Sequence, residues 1–360
     1  QTGASDRNTA VGWNTMKGAM NGAGHNTAVG SEALASITTG DNNTVLGSGA
    51  GDLLTTGSSS VMIGVAAGDA TVDSSNHVLI GVGAGGNGDI ANDGQTAVGY
   101  LALHALTSGA RNTALGAAAG FSLSSGERNV AVGNDALYYG STETDDNVAI
   151  GNNAMAGNFS TNAVNDCIAI GSDSLDAVLT STASGSVAIG KSALSALTSG
   201  LGNIAIGRDS MKVHTSGYRN TCIGEYTMDD NDAGSYSLSS EDNVFIGWGC
   251  ASGTFVNTKV ENNVAIGSYC MGGALDGAID NVIIGFDSAG ALTSGDNNVS
   301  VGSGSISALT SGSGNTSLGA NSNDTISTTD NNTAVGYNAH KGNGSANTVV
   351  GAYALDNTSS

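Results

Sequence analysis

The chain has 360 residues, including 56 glycines and no proline, and its formal net charge is −21. Phosphate groups are bound mainly by clustered Lys and Arg, so 10 basic residues against 31 acidic ones argue against nucleic acid and anionic membranes as partners. No apolar stretch approaches the roughly 20 residues that a membrane-spanning helix needs, and membrane insertion is not expected.

One five-residue phrase recurs along the whole chain. It reads Asn-Thr-Ala-Val-Gly at Asn26–Gly30 and Asn-Val-Ala-Ile-Gly at Asn147–Gly151. The closing glycine, called the anchor below, occurs in twenty copies, most of them 17 or 18 residues apart. The anchors are Gly12, Gly30, Gly47, Gly64, Gly81, Gly99, Gly116, Gly133, Gly151, Gly171, Gly190, Gly207, Gly224, Gly247, Gly267, Gly285, Gly302, Gly319, Gly336 and Gly351. A period this short predicts that each copy is one coil of a solenoid.

The residues before each anchor follow a strict pattern, with positions counted from the anchor. Position −1 is Val, Ile or Leu and position −3 is Thr, Val or Ile in every copy, while position −2 is mostly Ala. Alternate residues of a strand point to opposite faces, so this pattern predicts a short parallel strand that is apolar on both sides. One side would fill the coil. The other needs cover from another sheet or another subunit, which predicts self-association.

Position −4 is Asn in fifteen of the twenty copies. Stacked coils would place these amides about 4.8 Å apart, where each can bond the next. We therefore expect an asparagine ladder at the inside corner of a turn, in preference to a polar binding strip. Its candidate members are Asn26, Asn43, Asn112, Asn129, Asn147, Asn263, Asn281 and Asn298.

The residues after each anchor predict a second strand. Position +3 is always Ala, Ser, Thr or Cys, position +4 is often Leu or Met, and a turn rich in Thr, Ser, Gly, Asp and Asn follows. The predicted fold is thus all-β: a parallel β-solenoid or β-roll of about 20 coils, with 17–18 residues and two short strands per coil. We expect one continuous domain over residues 1–360, forming a rod on the order of 95 Å long.

Long intervals between anchors predict loop insertions at 152–166, 229–242 and 252–262. The longest interval carries Asp229, Asp230 and Asp232, which suggests either a Ca²⁺ site or a solvated acidic loop. The spacing of these acids lacks a recognised calcium-loop pattern, which favours the solvated loop. No other cofactor is expected.

Two further kinds of modification are suggested by residue type and position. Cys250 and Cys270 both lie at position +3 of consecutive coils, where stacking would hold their Cα atoms about 4.8 Å apart, within the range that a disulfide accepts. They are either a coil-to-coil disulfide or two small core residues. Asn158 and Asn343 lie in Asn-x-Ser sequences within turns and are the better glycosylation candidates.

The repeat resembles a known family. The phrase Asn/Ser-Val-Ala-Ile-Gly at Asn147–Gly151, Ser186–Gly190 and Asn263–Gly267 resembles the head repeat of trimeric autotransporter adhesins. Those heads are left-handed parallel β-rolls of three chains that bind host matrix or other surfaces. The Asn-Thr-Ala-Val-Gly copies are also similar to repeats of phage tail fibres. The coil here is longer than the adhesin repeat, and the resemblance is more specific for the fold than for a ligand.

These observations predict a non-enzymatic extracellular rod at the cell surface: an adhesin head, or a subunit of a surface fibre or filament. The alternative is a phage or virus tail-fibre shaft or receptor-binding segment. Expected partners are further copies, as a trimer or a head-to-tail filament, and a surface receptor, matrix or glycan. Ice binding is disfavoured because Val or Ile interrupts the threonine row at position −3 in about half the coils. No strip of clustered acids and bases predicts catalysis, and the five histidines occupy five different coil positions.

Overall fold

The computed structural model describes residues 6–86, 88–140, 143–159, 163–229, 240–256, 258–342 and 344–355. The chain divides into two compact units, Gln1–Ser184 and Gly185–Ser360. The described residues of each unit form a parallel β-solenoid with ten strands of three residues, which confirms the predicted fold class. The continuity of one domain over residues 1–360 stays a prediction.

Every strand is the segment from position −3 to position −1. In the first unit the strands are β1 (Thr9–Val11), β2 (Thr27–Val29), β3 (Thr44–Leu46), β4 (Val61–Ile63), β5 (Val78–Ile80), β6 (Thr96–Val98), β7 (Thr113–Leu115), β8 (Val130–Val132), β9 (Val148–Ile150) and β10 (Ile168–Ile170), followed by a 3₁₀ turn at Ser181–Ala183. In the second unit they are β11 (Val187–Ile189), β12 (Ile204–Ile206), β13 (Thr221–Ile223), β14 (Val244–Ile246), β15 (Val264–Ile266), β16 (Val282–Ile284), β17 (Val299–Val301), β18 (Thr316–Leu318), β19 (Thr333–Val335) and β20 (Thr348–Val350).

Within each unit, consecutive strands pair in parallel and in register. Ala28 in β2 is the partner of Ala10 in β1 and of Val45 in β3. In the second unit, Ile283 in β16 is likewise the partner of Ala265 in β15. Equivalent letters of successive repeats therefore lie directly over one another, as the period predicts.

The two sides of each strand have different environments. The middle residue, at position −2, points into the coil and is buried in every strand except β1. The side chains at positions −3 and −1 point outward and are half-buried or exposed. Because Ala occupies most of the inward positions, the coil is narrow, and larger residues such as Met62 and Phe245 fill it where they occur.

The prediction of a second strand in each coil was wrong. The described residues form one strand per coil, and the segment after each anchor has positive φ at positions +2 and +4 of every coil, such as 58° at Glu32 and 48° at Leu34. Positive φ lies outside the β region. The segment still joins coils, because the Glu32 N–H donates to the Trp13 carbonyl of the preceding coil (2.8 Å) and the Leu34 N–H donates to the Ala50 carbonyl of the next (3.0 Å).

The anchor is restricted to glycine by two separate features. Its φ lies between 130° at Gly190 and 147° at Gly47, a region that L residues with a side chain rarely adopt. In addition, a Cβ atom on Gly116 would lie within 3.0 Å of the Gly133 carbonyl in the next coil. The same glycine thus sets both the local backbone conformation and the close approach of neighbouring coils.

Candidate functional site

A regular surface feature of each unit is the strand face, which we define as the outward side chains at positions −3 and −1. All of them are Thr, Val, Ile or Leu, and none is charged. Leu115 in the first unit is 49% exposed, and Ile284 in the second is 37% exposed. Position −1 is aliphatic in every copy, and position −3 is Thr in nine of the twenty. Adjacent strands lie about 4.8 Å apart, so the side chains at position −1 form a regular aliphatic row in each unit. A contiguous apolar surface of this kind is typical of an interaction site.

An aromatic row follows the strand face in the second unit. It consists of Tyr226, Trp248, Tyr269 and Phe286, each one or two residues after the anchor of four consecutive coils. Neighbouring rings meet edge to face, with centroids 6.2, 4.5 and 6.2 Å apart. The last three rings are exposed. Large aromatic side chains often supply much of the binding energy of protein interfaces, and sequence spacing alone did not reveal this row.

A cation lies at one end of the aromatic row. The Arg208 guanidinium lies 4.9 Å from the centre of the Tyr226 ring and pairs with the Glu225 carboxylate. The aromatic row therefore combines ring edges, ring faces and one ion pair on a single strip of the second unit.

The asparagines at position −4 form a hydrogen-bonded ladder inside the coils. Asn298 Nδ2 donates to Asn281 Oδ1 (3.0 Å), while Asn298 Oδ1 accepts from the backbone N–H (2.9 Å) and from Nδ2 (3.1 Å) of Asn315. The candidate members Asn26, Asn43, Asn112, Asn129, Asn147, Asn263, Asn281 and Asn298 are all buried. Their amides are engaged between coils, so the arrangement is structural and not a polar binding strip.

One ladder position in the first unit is occupied by a histidine. His77 Nδ1 accepts from the Gln95 N–H (3.3 Å), and His77 Nε2 lies 2.8 Å from Ser74 Oγ. Burial lowers the pKa of His77 to about 4, and the Asp93 carboxylate only partly opposes this. The imidazole is therefore neutral near pH 7 and replaces an asparagine amide as a hydrogen-bonding group.

A second polar ladder, at position −6, was missed by the sequence analysis. The Gly24 N–H donates to Asp41 Oδ1 (2.6 Å), the Asp41 N–H to Ser58 Oγ (2.9 Å), and the Ser58 N–H to Ser75 Oγ (3.0 Å). The second unit repeats this arrangement, with the Asp296 N–H donating to Ser313 Oγ (3.0 Å). Asp and Ser recur at this position in the sequence, but both are also common in turns, so the recurrence alone does not indicate a ladder.

The acidic and glycosylation candidates are only partly described. Asp229 is half-buried, whereas Asp230 and Asp232 lie outside the described residues. Across the described ranges, no group of three or more His, Cys, Asp or Glu side chains is placed to hold a metal ion. Asn158 is exposed, and Asn343 lies outside the described residues. The predicted insertions 152–166, 229–242 and 252–262 include residues 160–162, 230–239 and 257, which also lie outside them.

Cys250 and Cys270 meet inside the second unit. Both are buried, and their sulfur atoms lie 2.8 Å apart as free thiols. Each stands three residues after its anchor.

Comparison with protein-family models, with curated proteins and with solved structures found no match for this chain. Among the described residues, no helix has the length and apolar character needed to cross a membrane.

Proposed function

We propose that this chain is a non-enzymatic structural rod, the subunit or adhesive head of an extracellular surface fibre, and that its strand face packs against the strand face of a second copy. The observation that carries the proposal is the absence of charge from positions −3 and −1 in all twenty repeats of a chain with net charge −21. Chance placement of 41 charged side chains would not spare one face so completely.

A second copy is the partner that best fits the geometry. The strand face has a fixed ridge spacing set by the strand separation, and a face with the same spacing can match it over many coils. Two sheets pack face to face about 10 Å apart, with the side chains of the two faces interdigitating. Burying a Val, Leu or Ile side chain contributes roughly 1.5–3 kcal/mol, so a few coils in register would offset the entropy lost on association.

The distribution of charge also favours contact between two copies through their strand faces. No acidic residue lies at position −3 or −1, and Asp145 and Asp146, for example, lie in a turn outside the strand face. Like charges on two copies repel, and this repulsion is smallest when the uncharged faces approach each other. The aromatic row beside the strand face adds large side chains that gain further free energy when water is excluded.

The extracellular location and the adhesive role rest on the resemblance of the repeat to adhesin heads. A receptor, a matrix protein or a glycan would then bind a surface of the rod other than the strand face. A tail-fibre shaft would assemble through the strand face in the same way. A test of self-association therefore applies to both candidate functions.

The test is self-association of the purified chain. Sedimentation velocity over a wide concentration range, with electron microscopy of the same samples, should show oligomers or filaments of the wild type. Ile284→Lys places a charge on the strand face and should give a smaller species, because a buried unpaired charge opposes association. Leu201→Lys is the matched control, since Leu201 is 51% exposed but lies outside the strand face, at position −6.

A wild type that stays monomeric at every concentration would refute the proposed assembly. Equal association of the Ile284→Lys and wild-type chains would also refute it, because the strand face would then not be the contact. Circular dichroism of both variants checks that the solenoid is intact.

A further inference from the structure

We propose that Cys250 and Cys270 form a disulfide that covalently joins two consecutive coils of the second unit. The inference rests on the contact between their sulfur atoms (2.8 Å), on the complete burial of both residues and on their identical place in the repeat.

The strand pairing fixes the relative position of the two cysteines. β14 and β15 are in direct register, with Phe245 opposite Ala265 and Ile246 opposite Ile266. Both cysteines then follow after four residues, so their Cα atoms inherit the coil spacing of about 4.8 Å. Disulfides accept Cα separations of 4.4–6.8 Å. No shift of one coil against the other is needed to bring the sulfurs together.

The other contacts of the two sulfurs hold them at the same place. Cys250 Sγ lies 3.4 Å from the Ala265 carbonyl oxygen, and Cys270 Sγ lies 2.9 Å from the Gly267 carbonyl oxygen. The backbone carbonyl of Cys270 accepts from the Ala251 N–H (2.9 Å), which locks the two coils beside the sulfur pair. The pair is therefore held by backbone bonds as well as by strand register.

The remaining cysteine of the second unit is a natural comparison. Cys222 lies at position −2, and its sulfur contacts the Met228 sulfur at 3.7 Å. It is one coil before Cys250 but at a different place in the repeat. The geometry thus selects Cys250 and Cys270 as the pair.

Formation of the bond follows ordinary thiol–disulfide exchange. One cysteine thiolate attacks a low-molecular-weight disulfide, such as oxidised glutathione, and releases one reduced thiol. The second cysteine thiolate then attacks the mixed disulfide, which forms the protein disulfide and releases the other reduced thiol. Each cysteine gives up one proton and one electron, and the small disulfide is reduced to two thiols.

The order of events follows from burial. Burial raises the pKa of the Cys250 thiol well above its ordinary value, so the folded protein holds little of the nucleophilic thiolate. The bond therefore forms while the two coils are still assembling. Once formed, it is shielded from reductants by the same burial.

The bond would lie where the repeat is most irregular. The interval Gly224–Gly247, at 23 residues, is the longest in the chain, and Gly247–Gly267, at 20, equals the next longest, Gly151–Gly171. A longer loop loses more conformational entropy when its ends are brought together, and a covalent link between the coils offsets part of that loss.

The experiment refolds the full chain with a mixture of reduced and oxidised glutathione, then denatures it and counts thiols by alkylation and intact mass. The wild type should show two reactive thiols out of four, with a mass lower by two hydrogen atoms than that of the reduced chain. Peptide mapping should give a linked peptide pair containing Cys250 and Cys270.

Matched variants keep the test interpretable. Cys250→Ser should show three thiols and no mass loss, and it should fold, because serine already occupies the same position at Ser288 and Ser305. Cys222→Ser should still lose two hydrogen atoms. Four alkylated thiols in the refolded wild type, or a linkage through Cys222, would overturn the proposal.

Formation of the Cys250–Cys270 disulfide does not depend on self-association through the strand face. A chain that fails to self-associate can still form this bond. Detection of the linkage in protein isolated from its source would place its folding in an oxidising compartment.

Discussion

Removing one rung from the middle of the asparagine ladder should strongly destabilise the second unit. In Asn298→Ala, the Asn315 backbone N–H loses its acceptor and the Gly312 carbonyl loses the amide that donates to it at 2.9 Å. Asn315 Nδ2 loses one bond but keeps its contact with the Thr329 carbonyl (2.9 Å). Asn281 Oδ1 still accepts from the backbone N–H of residue 298 (3.0 Å).

The magnitude follows from the groups left without a partner. Two buried backbone groups are orphaned, and each unsatisfied group costs about 1–3 kcal/mol, so the free energy of unfolding should fall by roughly 2–6 kcal/mol. Asn347→Ala is the matched control. Asn347 is only half-buried, donates to Asn332 Oδ1 (3.1 Å), and has no ladder partner after it among the described residues. Its removal orphans no following N–H and should cost about 1 kcal/mol or less.

The assay combines urea denaturation followed by circular dichroism with hydrogen exchange at the Asn315 amide. The midpoint of Asn298→Ala should fall well below those of the wild type and Asn347→Ala, and protection of the Asn315 amide should be lost. Equal midpoints for the two variants, with the Asn315 amide still protected, would refute the idea that the ladder stabilises the stack.

Three other predictions test the coil geometry, one buried hydroxyl and the titration of two buried histidines. Gly116→Ala and Gly351→Ala introduce similar backbone strain of about 1–3 kcal/mol, because the two glycines have φ of 145° and 131°. Of the two, only Gly116 would place its new Cβ against a carbonyl of the next coil. Thermal unfolding should therefore show a clearly larger loss of stability for Gly116→Ala. Ser186→Asn should raise the free energy of unfolding by about 1 kcal/mol, measured by urea denaturation, because the buried Ser186 Oγ has no hydrogen bond among the described residues. Burial lowers the pKa of His77 and of His214 to about 4. As the pH falls, the histidines of the unfolded chain are therefore protonated before those of the folded chain. The free energy of unfolding should fall from pH 6.5 towards pH 4, by up to about 1.4 kcal/mol per pH unit for each histidine. Denaturation at several pH values should show a shallower slope for His77→Asn, and an unchanged slope would contradict this pKa.

The repeat period, the strand and the asparagine ladder were predictable because each depends on residue type at a fixed position. The anchor needs glycine for its φ, the strand needs alternation, and the ladder needs an amide that can bond the next coil. The backbone after the anchor was not predictable, since Leu34 and Leu103 adopt positive φ (48° and 50°) although leucine ordinarily avoids that region. Hydrogen bonds between coils, such as that from the Leu34 N–H to the Ala50 carbonyl (3.0 Å), and the burial of both side chains favour this conformation.

The aromatic row was hidden for a different reason. Trp248 lies 22 residues after Tyr226, Tyr269 follows after 21, and Phe286 after 17, so long intervals obscure their alignment. Register in the folded coils removes these differences and brings the rings into contact. In a solenoid with insertions, the number of residues between two side chains therefore does not predict whether they are in contact.

The strand face separates the requirements of the fold from those of assembly. Neighbouring coils are held by backbone hydrogen bonds, by the asparagine ladder and by the inward residue of each strand, such as Met62. An outward residue such as Ile284 remains 37% exposed, and Thr, a polar β-branched residue, also suits a strand. Position −1 is Val, Ile or Leu in all twenty copies, whereas position −3 is Thr in nine of them and charged in none. The uniform apolarity of position −1 and the absence of charge at position −3 therefore need a cause outside the single coil, and burial against a second copy supplies one.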